Sequence, residues 1–372
     1  MFRFISIFFL TLFCFSSCVD NIENQTKGNI VKNKYAENFK IHEIDNGYII
    51  NVYDNNKNLI GEYTLSSNPD YKHNNKSVIN IPVTKVICFS STHCAFIDVL
   101  DENHSICGIS GTENIYNKGL KKLIQTNKIQ EIGFENRIDY EKIISLNPDV
   151  IFAYSIDNSS KASLQKFNEL NIPVVYVNEF IEPEILGRTE WIKFFACFYD
   201  KIDFAKYYCD SVFGNYQRLK ESLQKTEPKK PKILCSMPWQ GVWWAPGGDS
   251  YFAKLIDDAG GKYILKDNKN KESVPYSIEE VFSRSKNADI WLNPNQFNYK
   301  QEMLSTDERL EQFKAYKSSK IYNNNNRVNS FGGNDFWESG IVHPDMILKD
   351  LIKIFHPGFE LEHELFYYKE IH

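Results

Sequence analysis

One pattern in this chain occurs twice and limits the folds that it can adopt. Residues 139–154, DYEKIISLNPDVIFAY, and residues 277–292, SIEEVFSRSKNADIWL, have the same order of residue types. Each has a Glu in a short amphipathic turn, then a polar break that ends in Asp, and then a run of apolar, β-branched or aromatic residues. A short helix followed by a buried strand has this pattern. Its repetition predicts two similar units in which helices cover a parallel sheet.

The rest of the chain extends this pattern into two regions with one long helical segment between them. From residue 84 onward, strand patterns such as KVICFS and ICGISG alternate with helical patterns such as STHCAFIDVL, and a second alternating region begins at ILCSM. Residues 200–226 keep apolar positions at helical spacing. A helix of this length is too long for an ordinary crossover between two strands. The predicted fold class is α/β. Two parallel-sheet lobes, residues 84–199 and 227–372, would be joined by one long rigid helix.

The residues before the first lobe carry different signals. Residues 1–17 combine an early Arg with a short apolar run, as an export signal does. The segment FSSC resembles a bacterial lipobox and predicts acylation of Cys18, although an ordinary secretory signal with an accidental Cys is the alternative. Residues 18–38 are predicted to be a tether, and residues 39–83 a small β-hairpin extension. We therefore expect an exported protein, lipid-anchored to a membrane and facing the periplasm or the cell exterior.

Charge and cysteine content narrow the class of partners. A net charge of -5 and a pI near 6.0 provide no basic field, so nucleic acid is not an expected partner. The cysteines after Cys18 have irregular spacings without a C-x-x-C motif, which excludes a zinc ribbon. Export permits disulfides, but most of these cysteines lie in apolar runs. We expect mainly free, buried thiols in a monomeric protein.

Five segments between residues 84 and 359 carry a family resemblance by their order and spacing. They are DYEKIISLNPDVI, GRTEWIKFFACF, GGDSYFAKLIDDAGG, SIEEVF and GGNDFWESGIVHPDMILKDLIKIFHPGF. In these segments the chain resembles the substrate-binding proteins of ABC importers for iron chelates, haem and cobalamin. The resemblance implies a ligand held between two lobes and delivered to a permease dimer with ATPase subunits. It implies no catalysis and no resident cofactor, since iron or cobalt would belong to the transported ligand.

The resemblance also implies a role for the acidic residue that the two repeats share. In this family a surface Glu on each lobe pairs with Arg on one half of the permease, and these residues match Glu141 and Glu279. Exposed ion pairs of this kind set register and association rate more than affinity. The alternative is that each Glu only complements the dipole of its own helix.

Ligand-binding residues should lie where the strands of each sheet end. At these places the sequence has Tyr154, residues 178–180 and residues 293–295. Aromatic residues also occur in loops rich in Gly and Pro, which is typical of a platform for a large planar or chelated ligand; packing beneath the loops is the alternative. The loop candidates, with one amide beside them, are Trp239, Trp243, Trp244, Asn334, Phe336 and Trp337.

Three charged or titratable side chains complete the candidates. Arg137 and Arg188 could hold anionic groups of a ferric chelate or a haem propionate through forked hydrogen bonds. For Arg188, a structural ion pair with Glu184 or Glu190 is the alternative. His93 follows the first strand of the lobe, where it could contact a ligand or serve as a hydrogen-bonded structural residue.

Three other classes of protein have to be compared with a chelate receptor. A receptor for bare zinc or manganese needs several His and carboxylate side chains together, but the histidines are scattered and no His-rich loop occurs. The common enzyme motifs G-x-S-x-G, H-E-x-x-H, P-loop and G-x-G-x-x-G are absent from the sequence. A purely structural surface lipoprotein would not explain aromatic residues grouped on loops.

Overall fold

The computed structural model describes residues 29–72, 77–133, 137–154 and 158–372. The predicted export signal, Cys18 and residues 19–28 lie outside the described residues. None of the described helices is both long and apolar enough to cross a membrane.

The N-terminal part folds into a five-stranded sheet with its strands in sequence order. The first four strands pair antiparallel, and the fifth pairs parallel with the fourth. A two-residue turn at Asp45 and Asn46 joins the second and third strands, and Asn46 has the positive φ (64°) that such turns favour. The strands are β1 (Asn29–Val31), β2 (Phe39–Ile44), β3 (Gly47–Tyr53), β4 (Leu59–Ser66) and β5 (Val78–Asn80).

The segment between β1 and β2 is held by buried carboxylates, which corrects the prediction of a tether at residues 18–38 for its described part, residues 29–38. The carboxylate of Glu190 accepts hydrogen bonds from the backbone N–H groups of Lys34, Tyr35 and Ala36 at 2.8, 2.7 and 2.8 Å. A polar segment without periodicity gives no local sign of this order, because the acceptor comes from a distant helix. The described chain starts with β1 at Asn29, ahead of the predicted extension at residues 39–83.

Together with Glu190, the carboxylate of Glu182 forms a clamp on the segment between β1 and β2. Glu182 accepts hydrogen bonds from the N–H groups of Glu37 and Asn38 at 2.9 Å each and from Trp191 Nε1 at 3.0 Å. Burial raises the pKa of Glu182, and the hydrogen bond from the Glu37 backbone opposes that shift. The Trp191 ring also packs against Phe39 of β2, with 4.8 Å between ring centroids. Polar and aromatic contacts therefore attach the N-terminal sheet to the first lobe.

The first lobe is a parallel sheet with its helices in the crossovers, as the alternating pattern predicts. Its elements are β6 (Val86–Cys88), α1 (Ser91–Val99), β7 (Ile106–Ile109), α2 (Lys118–Gln125), β8 (Gln130–Glu131), α3 (Tyr140–Leu146), β9 (Val150–Ala153), α4 (Asn158–Glu169) and β10 (Val174–Tyr176). The strand order is β10-β9-β6-β7-β8, with every pair parallel. Buried runs such as VIFA in β9 suit a sheet that is covered on both faces.

Three helices lead from the first lobe to the second. They are α5 (Ile185–Glu190), α6 (Ile192–Phe198) and α7 (Ile202–Gln224). The 23-residue α7 packs against α6 at one side and against the last helix of the chain at the other. Its buried face recurs at helical spacing, at Ala205, Cys209, Val212 and Tyr216.

The second lobe repeats the plan of the first. Its elements are β11 (Lys232–Cys235), β12 (Pro238–Trp239), β13 (Val242–Ala245), α8 (Tyr251–Asp258), β14 (Lys262–Tyr263), β15 (Val274–Tyr276), α9 (Ile278–Ser285), β16 (Ile290–Leu292), α10 (Lys300–Met303), α11 (Lys314–Lys317), β17 (Ile321–Asn323), α12 (Asp335–Glu338), α13 (Pro344–Phe355) and β18 (Lys369–Glu370). The main sheet has the order β14-β11-β16-β17-β18, in which only β18 runs antiparallel. A small antiparallel sheet, β12-β13-β15, lies beside it.

This architecture confirms the predicted fold class of two parallel-sheet α/β lobes with additional N-terminal strands. The two similar segments, residues 139–154 and 277–292, correspond to α3 with β9 and to α9 with β16. Each of these strands pairs with the first strand of its own lobe, β6 or β11. The cysteines of the described chain are all free and, except for the half-buried Cys107, buried, which confirms that prediction too.

Candidate functional site

A cavity of about 1490 Å³ opens between the two lobes and beside the N-terminal sheet. Pockets for small ligands commonly have about 300–1,000 Å³, so this cavity suits a large ligand. The N-terminal sheet lines it with residues 54–56 and 60, and the first lobe with residues 178 and 180–183. The second lobe contributes residues 236, 237, 239, 244, 246, 250–252, 271–273, 293, 295, 296, 298, 324, 325, 328, 332, 334 and 337.

Two neighbouring strands of the second lobe end at this cavity with an unusual backbone. Ser236 follows β11 with a φ of 65°, and Asn293 follows β16 with a φ of 55°. The Ser236 N–H still donates to the Leu292 carbonyl at 3.0 Å, so the ladder continues to the end of the strand. A non-glycine residue in the left-handed region costs about 1–3 kcal/mol and persists where the surroundings hold it, commonly at binding sites. The strand ends therefore turn directly into the cavity wall.

Three tryptophans give the cavity an aromatic surface. Trp239, Trp244 and Trp337 all line it, and they are 61%, 45% and 52% exposed. Large apolar rings with this exposure in a concave site are available to stack on a ligand. The ring of Trp337 is held edge-on by Phe336, with 4.7 Å between the centroids.

Trp243 does not face the cavity, which corrects the prediction of ligand contact for this residue. It is completely buried, stacks on Trp291 at 5.6 Å between centroids, and donates from Nε1 to the Cys235 carbonyl at 2.9 Å. The cause is that PWQGVWWA is a hairpin rather than a loop, with Gln240 and Gly241 at positive φ in its two-residue turn. Side chains alternate along a strand, so adjacent tryptophans point to opposite faces.

Phe336 is a second correction, because it packs beneath the cavity rather than lining it. Its ring is 4% exposed and meets Tyr367 and Tyr368 edge-on at 5.9 and 5.7 Å. The neighbouring Asn334 does line the cavity. The Asn334 side chain also caps α12 by accepting the Phe336 N–H at 3.0 Å, so it combines a structural role with its place in the wall.

Amide side chains form the other part of the lining. Two of them are almost fully buried and keep a polar atom without a hydrogen-bond partner: Oδ1 of Asn178, 3% exposed, and Nδ2 of Asn324, 5% exposed. Buried polar atoms are normally paired, and an unpaired one in a cavity wall indicates a bound molecule or water. One atom is an acceptor on the first lobe and the other a donor on the second lobe. A ligand with both donors and acceptors would satisfy them.

Charged groups contribute little to the lining. Among the described lining residues the charged ones are Asp54, Glu182, Lys271 and Glu272, with no Arg or His. Glu182 is already occupied by the backbone N–H groups of the N-terminal segment. The described wall of the cavity therefore contains no guanidinium for a carboxylate or propionate.

Arg188 lies next to the cavity without lining it, which corrects its prediction as a ligand contact. Its guanidinium carbon is 4.4 Å from the ring centroid of Tyr251, a lining residue. The ion pair proposed as its alternative does not form in the described chain. Glu184 pairs with Lys254, and Glu190 holds the N-terminal segment.

Three other candidates lie away from the cavity. His93 is completely buried in α1, 5.8 Å from the Phe195 ring centroid, and burial lowers its pKa to about 3. It is therefore a neutral core residue, which corrects the prediction of ligand contact. Tyr154 follows β9 but packs half-buried against the lobe core, and Arg137 is exposed on the surface. Neither residue is part of the described cavity wall.

Glu141 and Glu279 occupy equivalent places in the two lobes. Each is exposed in the first turn of a helix, α3 or α9, that leads into the strand beside the first strand of its lobe. A helix before a parallel strand starts at the carboxyl edge of the sheet, so both acids lie on the cavity side of their lobes. Glu279 accepts a hydrogen bond from Arg309 Nη1 at 2.7 Å, which lowers the pKa of its carboxyl group.

Several lining regions were missed by reasoning from the sequence, among them residues 54–56, 250–252, 271–273 and 324–325. The turn DNNKN lies within the predicted β-hairpin extension at residues 39–83, but no local pattern shows which surface a hairpin tip approaches. Asn324 and Asn325 directly follow β17 and line the cavity. Their position at the end of a strand could have identified them as candidates, but the irregular Asn-rich run around them hid where the strand ends. The described residues contain no group of three or more His, Cys, Asp or Glu side chains able to hold a metal ion.

Known proteins are similar to this chain in sequence. Residues 86–327 match the family model described as periplasmic binding protein. An uncharacterized lipoprotein of Methanocaldococcus jannaschii is 30% identical over 350 residues, covering 87% of this chain and 81% of that protein.

Solved structures share the fold at low identity. A possible iron-binding (periplasmic solute-binding) protein from Staphylococcus epidermidis has a TM-score of 0.59 and 20% identity, covering 74% of this chain and 99% of its own. A periplasmic heme binding protein from Pseudomonas aeruginosa has a TM-score of 0.59 and 12% identity, covering 78% and 98%. The family match extends over well over half of the chain, from the first strand of one lobe to beyond β17 of the other. This chain therefore belongs to the periplasmic binding protein family.

Proposed function

We propose that this protein is the solute receptor of an ABC importer, anchored to a membrane through Cys18 and delivering a metal chelate to a permease dimer with ATPase subunits. The observation that carries the proposal is the large cavity between two lobes of this family, lined by exposed tryptophans and unpaired amides. Relatives support the chelate class: one similar structure is of a heme binding protein and another of a possible iron-binding protein. The lipoprotein from Methanocaldococcus jannaschii supports the anchor.

The lining narrows the proposed ligand among iron chelates, haem and cobalamin. Haem carries two propionates, and carboxylate siderophores carry several negative charges, which Arg side chains usually bind. The described wall has no Arg and one Lys, but many amides. Amide and tryptophan surfaces suit a bulky chelate with uncharged donors and acceptors at its edge. We therefore favour a neutral iron chelate of the hydroxamate type or a cobalamin over haem.

Docking on the permease is assigned in this proposal to Glu141 and Glu279. Their support is their exposure and their equivalent positions at the cavity edge of the two lobes. Two like acidic sites suit a permease with two like halves. The Arg309 partner of Glu279 would have to give way to a permease Arg, and an exposed pair of this kind exchanges readily.

A tryptophan-fluorescence titration tests the proposed function. The lipidated chain, purified in detergent, is titrated with cyanocobalamin, ferrichrome and haemin. We expect saturable quenching by one of the first two, and at least about a fivefold weaker affinity in a Trp337→Ala variant, since a stacked aromatic ring contributes about 1–3 kcal/mol. Tyr207→Ala, which removes a more exposed ring (75%, against 52% for Trp337) on α7 outside the cavity wall, serves as the control.

Other outcomes would decide against the proposal in specific ways. Quenching that Trp337→Ala leaves unchanged would contradict the aromatic surface as the site. Binding of haemin alone would contradict the argument from charge. Binding of zinc or manganese without a chelator would support the bare-metal class, and turnover of a probe would support an enzyme.

A further inference from the structure

The turn between β3 and β4 forms one wall of the cavity. Asp54, Asn55 and Asn56 of this turn line it together with Ile60 of β4. This part of the chain precedes residue 86, where the match to the periplasmic binding protein family begins. The cavity is therefore completed by a sheet that the family model does not include.

The tip of this turn is held in place by its own hydrogen bonds. The Asp54 carboxylate accepts the N–H groups of Asn56 and Asn58 at 2.8 and 2.9 Å. Lys57 Nζ reaches back to the carboxylate of Glu37 at 3.0 Å. Because residue 37 is bound by a buried carboxylate of the first lobe, the tip is positioned before any ligand arrives.

The sheet beneath the tip is fixed to the first lobe as well. The hydroxyl of Tyr63, in β4, accepts the backbone N–H of Tyr176 at the edge of the first-lobe sheet at 2.8 Å. The edge strand β10 is thereby covered by the N-terminal sheet instead of facing solvent. The wall and the first lobe form a continuous structure.

The same tip also reaches the second lobe. Asn55 Nδ2 donates to Glu272 Oε1 at 3.4 Å, a long contact between exposed side chains. Glu272 is itself a lining residue, so this contact joins the hairpin tip to the part of the cavity wall that the second lobe contributes.

We propose that the hairpin tip at residues 54–56 is a selectivity wall that contacts the bound solute and limits which chelates the cavity accepts. The inference rests on the proposed function, since the solute is the same. Asn55 and Asn56 present uncharged donors and acceptors, which match a chelate whose edge carries amide, hydroxyl or hydroxamate groups. A side chain that keeps such groups paired discriminates strongly against an analogue that lacks them.

The test combines a binding series with a geometric measurement. The purified lipidated chain and its Asn55→Ala/Asn56→Ala variant are titrated with cyanocobalamin, ferrichrome and haemin, with Asp45→Ala at the opposite end of the sheet as control. We expect the variant to bind its preferred probe about 25-fold more weakly and to lose part of its preference among the probes, because each of the two lost hydrogen bonds changes affinity about fivefold. Unchanged affinity and unchanged preference would overturn the proposal while leaving the proposed function intact.

A cross-link decides the geometry without any ligand. Asn55→Cys with Glu272→Cys should be joined by a short bis-maleimide, whereas Asn46→Cys with Glu272→Cys should not; peptide mass spectrometry reads the product. Failure of the first pair to cross-link would show that the tip does not close this side of the cavity, and would overturn the wall. If no probe binds the native chain, the proposed ligand class is wrong. The cross-link still tests whether the hairpin tip forms this wall of the cavity.

Discussion

Replacing Glu190 with Gln should release the N-terminal sheet from the first lobe. The Glu190 carboxylate is completely buried and accepts three backbone N–H groups of the segment between β1 and β2. It also pairs with Lys193 Nζ at 2.7 Å, and the Lys193 side chain is 8% exposed. Gln keeps the shape but removes the charge, and it turns an NH₂ group toward N–H donors. The variant leaves a buried ammonium without its counter-ion.

The expected cost follows from the burial of both partners. Removing one member of a buried ion pair costs about 3–5 kcal/mol, because the remaining charge stays desolvated. A typical domain has a total stability of about 5–15 kcal/mol, so this loss would be a large fraction. We expect it to be concentrated in the N-terminal sheet, whose attachment depends on this clamp.

Urea unfolding and hydrogen exchange measure the two parts of this expectation. The unfolding midpoint should fall, and the backbone N–H groups of residues 29–66 should exchange faster than those of the second lobe. A Glu190→Gln/Lys193→Met variant should recover part of the loss, since it removes both charges. A change below about 1 kcal/mol, or exchange accelerated equally throughout the chain, would refute the clamp.

Three further expectations follow from the site. Trp243→Ala should destabilise the fold by about 3–5 kcal/mol in urea unfolding, whereas Trp244→Ala should leave the midpoint in place and weaken only ligand binding; equal effects would contradict the hairpin alternation. The pKa of His93 lies near 3 in the folded chain and near 6.5 when unfolded, so only the unfolded chain takes up this proton between those values and stability falls as pH is lowered. His93→Gln should reduce the slope of unfolding free energy against pH by up to about 1.4 kcal/mol per pH unit between pH 4 and 6. An unchanged slope would mean that His93 is exposed to solvent in the folded chain. Glu141→Ala/Glu279→Ala should abolish solute-stimulated ATPase activity of the reconstituted importer without changing solute affinity, and retained stimulation would contradict docking through these acids.

The periodicity of the sequence was sufficient for the architecture because the information is local. In residues 139–154 and 277–292, the change from helical spacing to a continuous apolar run marks the boundary between a helix and a buried strand. The acidic residue in each repeat lies in the first helical turn, where both the dipole and exposure favour it.

The site was harder to predict because the local sequence does not show two properties that decide it. These are the face of a strand or helix on which a side chain lies, and its contacts with residues far away in the sequence. Trp243 and Trp244 are adjacent in sequence, yet one is in the core and the other lines the cavity, since their strand has one buried face. Arg188 was assigned to an anionic ligand by its charge, but its guanidinium lies over Tyr251 instead. Only the register of β12 with β13 could have distinguished the buried tryptophan from the one that lines the cavity. Only the positions of the helices around Arg188 could have shown that its guanidinium lies over Tyr251.

The clamp on the N-terminal sheet also imposes an order on folding. The N–H groups at Lys34 and Asn38 find their acceptors 156 and 144 residues later in the chain. A ribosome or a translocation channel releases the N-terminal strands first, and they must wait, incomplete, until Glu182 and Glu190 emerge. Contacts this far apart in sequence are slow to form. The first described strands to appear are therefore among the last to reach their native state, and until then they depend on whatever keeps them from pairing with other chains.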